Sequence, residues 1–208
     1  MRNLLCAVLA LLAATALSGG APKDTDIRSI DFKNFSFLWD NNMEHPPSYD
    51  ASPWQWLIRL PQSRIHVVNG VHHFHEPNEP QLERARAPRV SVGRVVYGDL
   101  DGSGMEWAAA HLNYSSGGTQ NWDYLYVYKP ADEHPRLVGI LKSGERGYGG
   151  LYRTAIQNGL LVLDFADRDR RVGDCCSEGY IRVRYRWKNG SFIEEGPRER
   201  GDVNLKEP

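Results

Sequence analysis

Through most of this chain apolar and polar residues alternate in short runs, and Gly, Asn, Asp and Pro separate the runs. A period of two puts successive side chains on opposite faces of a strand, so each run reads as a β-strand with one face toward a core. Strands are read at Val90 to Tyr97, Glu106 to Tyr114, Leu137 to Leu141, Leu151 to Ile156 and Leu160 to Phe165, short apolar-rich runs, and at Tyr124 to Tyr128, which alternates. Ile181 to Trp187 alternates strictly, with an apolar face and a second face carrying Arg182, Arg184 and Arg186. Arg64 to Val68 and Val71 to His75 flank Asn69-Gly70, and Gln157-Asn158-Gly159 separates another pair, both hairpin signals. At Lys188-Asn189-Gly190 a three-residue loop is expected, setting Tyr185 opposite Ile193 and Arg184 opposite Glu194. The competing two-residue turn would set Arg186 against Ile193.

Three segments break this pattern. Ile30 to Trp39 is apolar with imperfect alternation and is read as an early strand. Asp40 to Ser52 is a polar, proline-bearing loop, and Glu76 to Pro88 is a charged surface loop. Ser52-Pro53 offers an N-cap and a first-turn proline, which predicts a short helix over Trp54 to Ile58. The expected fold is therefore mainly β: an antiparallel meander forming a sandwich or open barrel, with at most one or two short helices. No internal repeat is present, which argues against a propeller.

The N-terminus changes the picture of where the protein works. Arg2 precedes an apolar run from Leu4 to Leu17, closed by small residues and by Pro22. This reads as a secretory signal peptide over residues 1–20, cut after Ala16 or after Gly20. The run is too short to span a bilayer, and no later segment is apolar enough to do so. The expected organisation is then a linker at 21–29, one β-rich domain at 30–200 and a tail at 201–208, exported to the periplasm or beyond. A mature chain of roughly 190 residues is long enough to bury a core without staples. A formal net charge of −1 argues against a general nucleic-acid binder. Past the leader the only cysteines are Cys175 and Cys176, adjacent in sequence; a rigid vicinal disulfide in a tight turn is the preferred reading, with a cross-link to another chain or buried thiols as the open alternatives.

Candidate chemistry concentrates at Gly98-Asp99-Leu100-Asp101-Gly102-Ser103-Gly104-Met105-Glu106. Oxygen donors at alternate positions, separated by glycines, suit a loop wrapped around a hard cation. With Asp99 as position 1, the ligands of a Ca²⁺ site would be Asp99, Asp101, Ser103 and the Met105 carbonyl, with Glu106 nearby. Two or three carboxylates imply weak, millimolar-range binding. The competing reading is an Asp-Gly turn whose carboxylates cap backbone amides without metal. The loop resembles the aspartate turns of FG-GAP and VCBS-type secreted β domains, although those carry an acid at position 9, where this chain has Trp107. Tyr97 to Gly102, Tyr124 to Tyr128 and Gly173 to Cys176 together resemble a group of uncharacterised exported bacterial proteins. That resemblance implies export and a β-rich fold and supplies no activity.

Other features are weaker. His66, His72, His73 and His75 crowd one hairpin and could take Zn²⁺ or Cu²⁺, although metal-free histidines are the commoner outcome at such spacing. Asp164, Asp167, Asp169 and Asp174 are interleaved with arginines and read as an ion-paired turn. No nucleophile elbow, metalloprotease helix or phosphate loop is present. The sequence thus points to a non-enzymatic exported binding module for a protein or glycan, possible steadying by Ca²⁺ included. Its contact surfaces are expected at Tyr114 to Trp122 and at the glycine-rich loop around Tyr148. A hydrolase using aspartates near Asp99 or Asp164, or a structural envelope component, are the alternatives.

Overall fold

The computed structural model describes residues 26–39, 54–74, 78, 80, 83, 86–173 and 176–203. The proposed leader, Asp40 to Pro53, His75 and Cys175 lie outside the described residues. The fold is mainly β and antiparallel, with open sheets packed as a sandwich. The larger sheet has six strands: β2 (Gln55–Trp56), β8 (Arg136–Lys142), β7 (Asn121–Lys129), β6 (Trp107–Ser115), β5 (Arg89–Gly98) and β4 (Val71–His73), in that spatial order. The second sheet runs β14 (Ser191–Glu194), β13 (Gly179–Lys188), β10 (Leu160–Ala166) and β9 (Leu151–Gln157). The last strand, β15 (Glu199–Asp202), also pairs with β13. Two small ribbons complete the fold, β1 (Ser36–Leu38) with β3 (Arg64–His66) and β11 (Arg171–Val172) with β12 (Cys176–Ser177).

The six-stranded sheet is covered on both faces. One face carries Trp107, Ala109, Leu125, Val127 and Leu141 against Leu161, Leu163, Phe165, Val183 and Tyr185 of the second sheet. The opposite face carries Ala108, Ala110, Leu112, Tyr124, Tyr126 and Tyr128, capped by Ile27, Phe32, Phe37, Trp39, Ile65 and Val67. This is why β6 and β7 are buried almost continuously and lack the apolar–polar alternation of a half-exposed strand.

Four expectations need correction. Ile30 to Trp39 is a strand only at its end. Before β1 the chain makes two 3-10 turns, Ile27–Ser29 and Phe32–Asn34, whose first amides are capped by Asp26 and Asp31. Trp54 to Ile58 holds no helix; Gln55 and Trp56 form an edge strand against Lys142 and Leu141. In a strand Trp54 and Trp56 share a face, which a helix would not allow. Trp54 stacks on Phe165 at 4.1 Å and Trp56 on Phe192 at 4.3 Å. The β13–β14 hairpin uses the two-residue turn, pairing Arg186 with Ile193 and Trp187 with Phe192. Asn189 and Gly190 both have positive φ, as a type I′ turn requires, and this register buries Phe192 beneath Trp56 while Ile193 faces solvent. Finally, the ordered fold exceeds 30–200 at both ends, since Ile27 is in the core and β15 reaches Asp202.

Candidate functional site

The groups that converge on a recess come from strands whose ladders are interrupted. On β5, Val92 pairs with Leu112 and Val95 with Ala110, so Gly93 and Arg94 together oppose His111. This is a β-bulge, the device by which a strand re-aims a side chain. The fit is tight there: a Cβ on Gly93 would lie 3.1 Å from His111 Nδ1, so the imidazole packs against the bulge. A second irregularity faces it across the sandwich. On β9, Arg153 pairs with Asp164 and Leu151 with Phe165, leaving Tyr152 as the extra residue. β9 is an edge strand of its sheet and passes close to β5: a Cβ on Gly98 would lie 2.6 Å from the Ile156 side chain. Between the two irregular stretches is a recess of about 70 Å³, lined by Arg94, His111, Leu151, Tyr152, Arg153 and Thr154.

Asp123 lies behind this recess and holds two of its lining residues, His111 and Leu151. Its Oδ1 accepts from His111 Nε2 at 2.8 Å and from Asn113 Nδ2 at 3.0 Å, and its Oδ2 accepts from the Leu151 amide at 3.0 Å. One carboxylate thus ties β6 and β7 to the start of β9. An ionised carboxylate can only accept, so the His111 Nε2 that meets it donates, and Nδ1 lies on the side of the bulge. Tyr152 is fixed from the other side, its hydroxyl accepting from the Ser177 amide at 3.0 Å. Thr154, 8% exposed, makes no side-chain hydrogen bond among the described residues.

The charge around the recess is uneven. Register places Arg153 opposite Asp164, but both Asp164 oxygens are taken by Arg182, at 2.7 and 2.8 Å. Among the described residues no carboxylate pairs with Arg153 or with Arg94. By contrast, all three arginines of β13 are neutralised, Arg182 by Asp164, Arg184 by Glu199 and Arg186 by Glu195. The Arg182 guanidinium is pushed up by its hydrogen bonds to Asp164.

The residues singled out from sequence sit elsewhere and are internally engaged. Asp99 Oδ1 accepts from the Asp101 and Gly102 amides, and Oδ2 accepts from the Gly104 amide at 2.7 Å. Asp101 accepts from the Ser103 amide through one oxygen and from Lys129 Nζ at 2.7 Å through the other. Burial raises the Asp101 pKa, but Lys129 and Ser103 outweigh it and hold the carboxyl down at about 2. The Ser103 hydroxyl lies 3.4 Å from the Met105 amide, and Glu106 forms a two-pronged pair with Arg28. Among the described residues no group of three His, Cys, Asp or Glu side chains is placed to hold a metal ion. His66 Nδ1 meets Ser36 Oγ and His72 Nδ1 meets the His66 carbonyl.

The expected contact surface also needs correction. Tyr114 and Trp122 are each 3% exposed and stack on one another in the core, because the doubly covered sheet buries both faces of β6 and β7. Tyr148 is half-buried beneath Arg171, and its loop is packed rather than extended, with Gly144, Gly147, Gly149 and Gly150 all buried. Gly147 abuts the backbone of Cys176, which is disulfide-bonded.

His111 and Asp123, which close the recess, are absent from the residues singled out in the sequence. The one local signal is the slip at Gly93-Arg94, opposite His111. No family model, curated protein or solved structure matches this chain.

Proposed function

We propose that this chain is an exported binding module whose ligand site is the recess between the β5 bulge and β9. The observation that carries the reading is the convergence of His111, Arg94 and Thr154 on one recess, with His111 locked by the buried Asp123. Oriented polar groups held by rigid strands in a concavity are what a small-ligand site requires. A recess of about 70 Å³ exceeds the roughly 10–15 Å³ that one water needs, and fits an end group better than a whole ligand. The test is a screen of glycans, peptides and small organic acids, read by NMR signals of the recess residues. Ligands are expected to perturb His111 and Thr154 first, and His111→Asn is expected to abolish that response.

The same His111–Asp123 pair favours a second reading, in which His111 Nδ1 serves as a general base. It displaces the aspartates as candidate catalytic groups, since Asp99 is committed to amides and Asp164 to Arg182. Product formation from any bound compound, lost in His111→Asn, would favour this hydrolytic reading over simple binding.

Ca²⁺ at the Asp loop belongs to the proposal as a weak stabiliser. A cation there competes with Lys129 for Asp101. Lys129→Met is therefore expected to enlarge the rise in melting temperature that millimolar Ca²⁺ gives over chelator. Superimposed curves with Ca²⁺ and with chelator, in both proteins, would remove metal from the account.

A further inference from the structure

We infer that the group entering the recess is an oxyanion, a carboxylate, phosphate or sulfate carried on a small molecule. The inference rests on the reading of the recess as the ligand site and names what that site recognises. The first ground is charge. Arg94 and Arg153 both line the recess, and neither is paired with a carboxylate among the described residues. The one acid behind the recess, Asp123, has both oxygens taken by donors from His111, Asn113 and Leu151, so neither arginine is its partner. The rim is left with positive charge in excess.

The second ground is donor geometry. In a β-bulge two consecutive residues oppose one, so Arg94 comes to the same side as the position across from His111. A guanidinium presents parallel N–H donors that match the two oxygens of a carboxylate or phosphate. The third ground is Thr154, more than nine-tenths buried, lining the recess, with a hydroxyl that has no partner among the described residues. That hydroxyl opens onto the recess and is not among the buried unpaired polar atoms, so it is available to a group that enters. An oxyanion satisfies the hydroxyl and the guanidinium together, which a neutral group does less well.

Calorimetric titration of the purified chain with acetate, inorganic phosphate and sulfate, beside glucose as a neutral control, tests this. At least one oxyanion is expected to bind saturably, and the ranking of the three separates carboxylate from phosphate and sulfate recognition. Arg94→Gln is expected to weaken that binding by about tenfold or more, the effect of losing a charge-assisted hydrogen bond. Thr154→Val is expected to weaken it severalfold. Arg94 is exposed, so the Arg94→Gln protein should melt with the wild type, which separates lost binding from lost fold. Oxyanion affinity unchanged in Arg94→Gln, or no oxyanion bound while a neutral compound shifts the His111 signals, would overturn the inference and leave the ligand-site reading standing. A recess unresponsive to compounds of either kind would overturn both.

Discussion

Replacing Asp123 by alanine is expected to cost about 3 kcal/mol or more, since three donors lose one acceptor at about 1–3 kcal/mol each. For a chain of this size that is a fall in melting temperature on the order of 10 °C. The reason is that one carboxylate answers three donors on two sheets. Without it the His111 Nε2–H, the Asn113 amide and the Leu151 N–H lose their acceptor in a region where Asp123 itself is only 9% exposed. Asp123→Asn is the informative companion. It keeps one acceptor oxygen but turns an NH₂ group toward either His111 or Leu151, so its loss should be substantial though smaller than for alanine. Thermal and urea unfolding measure both. A loss below about 1 kcal/mol for Asp123→Ala would mean that water replaces the carboxylate and that the pair is no structural clamp.

Trp107→Ala is expected to cost a similar amount, about 3–5 kcal/mol, by a different mechanism. Trp107 is fully buried at the start of β6, edge-on to Trp187 at 5.2 Å and covered by Lys129. Truncation leaves a cavity between two sheets that are each pinned by a continuous ladder, β6 with β7 and β10 with β13, so the walls collapse little. The indole N–H has no partner among the described residues, so packing alone carries the effect. Trp107→Phe, which keeps much of the volume and removes that N–H, should therefore lose less than half as much. Equal losses for phenylalanine and alanine would contradict the packing explanation.

These two residues also mark what was legible in the sequence. The long strands β5 to β10 and β13 were readable because short apolar runs bounded by Gly, Asn, Asp and Pro are local signals. The register of the β13–β14 hairpin was not, since balancing charges across the strands favoured Ile193 inward. The type I′ geometry of Asn189-Gly190 and the Phe192 site under Trp56 decided it the other way. Trp54 and Trp56 were misread because a Ser-Pro start is a good helix signal, and the stacking partners Phe165 and Phe192 are distant in sequence.

The Asp loop drew attention because its pattern is contiguous. The recess did not, because its parts are spread over β5, β6, β7 and β9 and meet only when the sheets stack. Burial of β6 and β7 on both faces removes the polar–apolar contrast that would otherwise flag His111 and Asp123 as exceptions. Tyr114 and Trp122 illustrate the converse error. Aromatics beside a Gly/Ser loop resemble a contact surface, yet the N-terminal turns and the β1–β3 ribbon cover that face.

The central claim is that the recess at His111 is where this protein meets its ligand. The most direct measurement follows the imidazole signals of His111 during titration with the binding panel, with the signals of His66 and His72 as internal references on another part of the fold. The account requires His111 to shift saturably with a ligand while His66 and His72 stay still. A ligand that binds with saturable shifts at other residues and leaves His111 unmoved would place the functional site elsewhere and contradict the account.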